Sequence, residues 1–112
     1  KRMKNAGLSF SDEQFATATG LLAHVGEHAE EWSSLASQMA GGENDAPVSG
    51  LRFRRLLRQE DREDLYRSMI RIIRLLDRRV NIFALSDDVY YWGSGVRKRW
   101  AQEYYQHALE EA

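Results

Sequence analysis

Ten arginines stand at positions 52, 54, 55, 58, 62, 67, 71, 74, 78 and 79 of this 112-residue chain. A guanidinium is a planar fork that donates two parallel hydrogen bonds to phosphate oxygens, so arginine at this density suits a polyanion. Taking 100° per residue from Arg67, positions Arg71, Arg74 and Arg78 fall at about 40°, 340° and 20°, one stripe along a helix. Leu65, Met69, Ile72, Ile73 and Leu76 take the opposite side and make a core face. Just upstream, Arg54, Arg55 and Arg58 oppose Phe53, Leu56 and Leu57 in the same way. Charge runs on helices are often solvated faces laced with i,i+4 ion pairs. Arg67 has Glu63 for that purpose and Arg74 has Asp77, but Arg71 has no acid within a turn. Like charges at these spacings are unfavourable unless an anion is near, and the anion could be a nucleic acid or the acidic side chains of another helix.

A second basic group, Arg97, Lys98 and Arg99, follows Gly93-Ser94-Gly95 at a predicted helix start. Free amides and the helix dipole favour a phosphate there, and the glycines allow close approach. Tyr90, Tyr91, Trp92, Trp100, Tyr104 and Tyr105 could stack on bases. Their helical spacing assigns most of them to the core and leaves one or two available. Asp87 and Asp88 point about 100° apart if helical, so they are read as answering arginines of a neighbouring helix. His24-Val25-Gly26-Glu27-His28 matches the zinc-protease pattern H-x-x-E-H, in which two histidines one turn apart bind zinc beside a glutamate base. Gly26 inside that turn and the lack of an obvious third ligand weigh against it, and a solvated helix face is expected instead. The chain has no nucleophile–base pair, no phosphate loop and no dinucleotide fingerprint. An enzyme is not expected, nor is a metal or a cofactor.

The formal net charge of −1 hides a strong asymmetry. Residues 1–49 hold 3 Lys/Arg against 7 Asp/Glu, residues 50–100 hold 13 against 7, and residues 101–112 add three acids to no base. One chain thus offers a surface for a polyanion beside a surface for something else. Cysteine is absent, which removes disulfide and thiol chemistry and fits a reducing compartment, so a cytoplasmic location is expected. No apolar run approaches the roughly 18 residues of a membrane span, and no membrane partner is expected.

The elements that position these groups are helical. Apolar residues recur with a period near 3.6 rather than 2, and proline occurs once. The expectation is an all-α chain, a small bundle of about five helices in one domain over 1–112, with no sheet. A first helix is predicted from about Asp12 to Val25, capped by Ser11 and burying Phe15, Leu21 and Leu22, with Gly26 breaking it. A second, from about Glu27 to Ala40, would pack Trp32, Leu35 and Met39. The stretch 41–49 is the clearest loop, and it also marks the change from acidic to basic composition. Beyond it come helices over about 49–58, 61–79, 83–92 and 96–110, the last placing Val96, Trp100, Tyr104 and Ala108 on one side.

The run Arg52-Phe53-Arg54-Arg55-Leu56-Leu57-Arg58-Gln59-Glu60-Asp61-Arg62 resembles the R-F-x-x-L-L-x-A-D-R segment of the CasB family, the small subunit of the type I-E CRISPR Cascade complex. The similarity continues through the long arginine helix to Asp87-Asp88 and Trp92. It ends in Arg99-Trp100-Ala101-Gln102-Glu103-Tyr104-Tyr105, which is similar to an R-W-A-x-E-Y-Y ending. It covers about residues 50–106, with weaker agreement over 10–40. The resemblance implies a non-catalytic helical subunit present as two adjacent copies, in contact with the CasC backbone and the CasA large subunit. Its basic face would hold the DNA strand displaced when guide RNA pairs with its target, which stabilises the R-loop in antiviral defence. Holding a single strand needs a charged track and no base readout. Arg62, Arg71 and Arg97 match basic or motif positions of the family. Arg54, Arg55, Arg58, Arg67 and Arg74 are added from helical geometry, and Lys98 and Arg99 from the glycine-led helix start. The alternative is an interaction module whose arginines dock on acidic partner subunits and never touch DNA. Family members are longer, so this chain is expected to be the C-terminal part of such a protein. Where relatives place an Asp followed by an aromatic after the long helix, this chain has Asn81-Ile82, with Phe83 one position later.

Overall fold

Side-chain caps decide where most of the helices begin. The computed structural model describes residues 10–41 and 46–111. Helix α1 (Phe10–Leu22) and a two-residue strand β1 (Glu27–His28) come first. Ser34 then accepts the Ser37 amide at 3.1 Å and opens α2 (Leu35–Ala40). Ser49 accepts the Arg52 amide at 3.3 Å and opens α3 (Gly50–Leu57). Asp61 accepts the Glu63 amide at 2.7 Å at the head of α4 (Arg62–Leu75). After strand β2 (Arg79–Val80), Asn81 accepts the amides of both Phe83 and Ala84 at 3.0 Å and opens α5 (Ile82–Tyr90). Helix α6 (Ser94–Glu111) closes the chain. Each cap satisfies amide donors that a helix start leaves without an internal partner. Asn81 thus caps α5 at the position where the resemblance led one to expect an aspartate.

The bundle is helical as expected, with six helices among the described residues. Helix α1 packs on α5 and α4, and α2 packs along α6. The core face read from α4 is the buried one: Leu65, Met69, Ile72 and Ile73 are all inside, as is Leu76 just past its end. Phe53 and Leu56 of α3 join them, with Trp100 and Tyr104 of α6. Phe53 stacks on Tyr104 with ring centroids 4.0 Å apart, and Trp92 meets Trp100 edge to face at 5.0 Å. Gly20 lies in the interior of α1 because Tyr66 of α4 comes close. A Cβ there would lie 2.9 Å from the Tyr66 ring.

Four expectations are corrected. The chain does contain a sheet, a two-residue parallel ladder pairing Glu27 with Arg79 and His28 with Val80. The helix expected over 27–40 shrinks to α2, because the backbone donors of its first half are used across the molecule. Gly26 and Glu27 both donate to the Arg78 carbonyl at 2.7 and 3.1 Å, and Ala29 donates to Val80 at 2.9 Å. Phe15, expected in the core, is 66% exposed. The buried side of α1 is centred on Thr17, Ala18 and Leu21, and Phe15 lies roughly 110° away round the helix. The boundaries of the other helices fall within a few residues of expectation. The exception is α4, which ends at Leu75, so Arg78 leaves the stripe. Asp77 and Arg78 take left-handed φ values of 59° and 60°, which turn the chain back toward β1. The expected Ser11 cap side chain and residues 42–45 of the loop lie outside the described residues.

The described part of that loop is tied down at both ends. Gly41 turns out of α2 at φ 87°, a conformation that favours glycine, and its carbonyl meets His107 Nε2 at 2.6 Å. Val48 donates to Met39 at 3.1 Å, and the buried Tyr104 hydroxyl donates to the Val48 carbonyl at 2.7 Å. Tyr104→Phe leaves that carbonyl without its partner and is expected to cost about 1 kcal/mol, read from chemical denaturation at neutral pH. Burial, and to a lesser degree Tyr105, raises the Tyr104 phenol above its ordinary value of 10.0. The folded chain therefore keeps a proton that the unfolded chain releases. This stability is intact below about pH 10 and is lost as pH rises past it, and the Phe variant lacks that alkaline loss.

Candidate nucleic-acid interface

Helix α3 buries Phe53 and Leu56, and α4 buries Leu65, Met69, Ile72 and Ile73, which leaves most of their arginines outside. Arg54, Arg55, Arg58, Arg71 and Arg74 are exposed, and none makes an ion pair among the described residues. Arg52 and Arg55 of α3 meet Arg71 of α4 around a shallow cleft of about 100 Å³, floored by Leu56 and Ile72. Ser68 lines the same cleft, and its hydroxyl makes no hydrogen bond among the described residues. By contrast, Thr17 and Ser86 return theirs to the carbonyls of Glu13 and Ile82. Three guanidinium groups and a free hydroxyl around one recess supply donors and no acid, which is the inventory an anion needs. Arg52, though one of the ten arginines, was not among the candidate binding residues chosen from the sequence. Its i,i+3 spacing from Arg55 was the signal available.

Arg67 is also exposed, but it is engaged on its own helix by Glu63 at 2.7 Å and Asp64 at 3.8 Å. Such solvent-exposed pairs are weak and open readily. Arg62 turns inward instead. It donates to the carbonyls of Val89 at 2.6 Å and Tyr90 at 3.1 Å, satisfying the carboxyl end of α5, and burial lowers its pKa from the usual guanidinium range. Arg97 is likewise drawn in, donating to Leu57 at 3.2 Å with Glu60 at 3.7 Å, and its buried Nε has no partner among the described residues. Arg99 forms a close pair with the buried Asp88, which raises its pKa further, and lies 3.7 Å from Glu103. Of the basic group at the start of α6, only Lys98 is exposed without an ion pair among the described residues. Helix α6 starts at Ser94, so Ser94 and Gly95 belong to its first turn rather than to the break before it.

The remaining candidates sort by burial. Trp92, Trp100 and Tyr104 are core. Tyr91 and Tyr105 are exposed, and of the two Tyr105 lies beside α3, edge-on to Phe53. Asp88 answers Arg99 as expected and also accepts the Trp100 indole N–H at 2.8 Å, whereas Asp87 is exposed. The H-x-x-E-H match does not lie on a helix, which is a correction to both readings of it. Glu27 and His28 are in β1, His24 packs edge-on to Tyr66, and His28 packs edge-on to Phe83 while its Nδ1 accepts the Ile82 amide at 3.1 Å. Among the described residues no group of three His, Cys, Asp or Glu side chains could hold a metal ion. No described helix is long and apolar enough to cross a membrane.

The fold and the site together define a small helical bundle with exposed arginines on two adjacent helices, most of them without an ion pair among the described residues. The family described as CRISPR-associated protein Cse2, also called CasB, matches residues 9–105, and the chain belongs to it. Membership makes the chain a small subunit of a type I-E Cascade complex, assembled with other Cas subunits. No curated protein and no solved structure matches it.

Proposed function

We propose that the outward face of α3 and α4 holds a nucleic-acid strand along its phosphates, and that within Cascade this strand is the DNA displaced when guide RNA pairs with its target. The observation that carries the reading is the meeting of Arg52, Arg55 and Arg71 at one cleft, with Arg54, Arg58 and Arg74 exposed elsewhere on the same two elements and no carboxylate paired to any of them among the described residues. A track of this kind reads charge and backbone shape, which suits a strand of any sequence. The role is one of holding, with no catalytic step. Lys98 and, once its weak pairs open, Arg67 extend the track, while Arg62, Arg97 and Arg99 serve the fold. The family supports the setting: a cytoplasmic complex in which the chain sits beside a second copy of itself, the CasC backbone and the CasA large subunit.

Photoreactive groups placed along the displaced strand of an assembled complex test this. Crosslinks are expected on residues 52–58 and 67–74. If an R-loop forms while that face collects none, and Arg71→Glu breaks assembly instead, the arginines dock on acidic subunits and the reading fails.

A further inference from the structure

The molecule has a second recess whose chemistry is opposite to that of the arginine cleft. A groove of about 920 Å³ runs between α1 and α5, and none of its lining residues comes from α3 or α4. Three aromatic side chains stand at it and remain largely in solvent: Phe15 at 66%, Phe83 at 70% and Tyr91 at 63% exposed. Isolated exposed apolar groups are ordinary, but three large rings around one concavity mark a contact surface. The charged side chains of the groove are Asp87, Asp88, Glu103 and Arg99, three acids to one base. Asp88 spends its charge on Arg99. Glu103 accepts the Ser34 hydroxyl at 2.8 Å and keeps its second oxygen 3.7 Å from Arg99. Asp87 makes no ion pair among the described residues.

We propose that this groove docks a segment of another Cascade subunit that presents a lysine or arginine flanked by apolar side chains. A cation entering the groove meets Asp87 and Glu103, and its aliphatic stem lies along the rings. Aromatic faces attract cations as well as apolar atoms. The sign of the groove repels phosphate, so it is no continuation of the α3–α4 track, and the inference stands whether or not that track holds DNA. Opposite charge on two separate faces lets one small subunit bind a polyanion and a protein without competition between them.

Co-expression of the chain with the remaining Cascade subunits and guide RNA, followed by purification through a tag on another subunit, provides the test. Asp87→Lys and Phe15→Ser alter exposed side chains, and each is expected to lower incorporation into the complex at least fivefold. Circular dichroism and affinity for single-stranded DNA should remain unchanged. Asp87→Asn, which keeps the size of the side chain, is expected to show an intermediate loss that disappears at high salt. Unchanged incorporation for Asp87→Lys and Asp87→Asn overturns the proposal. So does a fall in DNA affinity that parallels the loss of incorporation, which would place the groove on the nucleic-acid path. Loss of self-association in the isolated chain with normal incorporation also overturns it, because the groove would then be a contact between copies.

Discussion

Replacing Arg55 and Arg71 together by alanine is expected to flatten the salt dependence of single-stranded DNA binding. On single strands each phosphate contact contributes about 0.7 to the slope of log affinity against log salt. A track that engages about five phosphates gives a slope near −3.5, or about a hundredfold loss of affinity over a fourfold rise in salt. Two fewer contacts bring the slope to about −2.1 and the loss to about twentyfold. Arg55 and Arg71 are the appropriate pair because both border the cleft and neither supports the fold through an ion pair among the described residues. Arg62→Ala should behave differently. Its guanidinium caps α5 through Val89 and Tyr90, so the variant should lose thermal stability while the salt slope per folded molecule stays the same. Binding isotherms at four or five salt concentrations separate the two. A double alanine variant with an unaltered slope would remove the cleft from the track.

The second large effect lies at Asp88, the buried carboxylate of α5. It accepts the indole N–H of the fully buried Trp100 and pairs with Arg99, so one side chain joins α5 to two positions of α6. Asp88→Ala leaves the indole donor unsatisfied inside the core and is expected to cost about 2–3 kcal/mol, or roughly 10 °C in Tm. Most of that belongs to the indole, because Arg99 is 46% exposed in its side chain and solvent screens its share. Asp88→Asn keeps an oxygen for Trp100 and gives up only the charge, so it should cost about 1 kcal/mol or less. Equal losses for the two variants would assign the stability to the ion pair instead.

Much of the architecture was legible where one helix carries its own evidence. The stripe of Leu65, Met69, Ile72 and Ile73 identifies α4 and its buried side with no knowledge of the neighbours, since a period of 3.6 needs no partner to be seen. The segment 27–34 was misread because its Glu27 and Ala29 amides are satisfied by Arg78 and Val80, about 50 residues away, and no local pattern announces that. The arginines divide along the same line. Helical phase places Arg54, Arg55, Arg58, Arg71 and Arg74 outside. Whether Arg62, Arg97 or Arg99 faces solvent depends on carbonyls and a carboxylate supplied by other elements. The resemblance pointed to Arg62 and Arg97 through the family motif, and both have structural work in this fold. The α1–α5 groove escaped notice for a related reason. Phe15 was read as a core residue, and a ring read as buried cannot suggest a surface.

The cleft between α3 and α4 has a consequence for the energetics of the whole subunit. Arg52 with Arg55, Arg55 with Arg58 and Arg71 with Arg74 are like charges at helical i,i+3 spacing, and Arg71 adds a cross-helix neighbour. The unliganded fold carries this local frustration, and the buried stripe beneath outweighs it. A strand held there as proposed would neutralise these charges and remove the conflict, which would link binding to folding and make the bound subunit the more stable one. Substitutions that relieve the repulsion by removing arginine would make a sturdier free subunit with a weaker grip. On the proposed role, the stability of the free subunit and its grip on a strand oppose each other at this cleft.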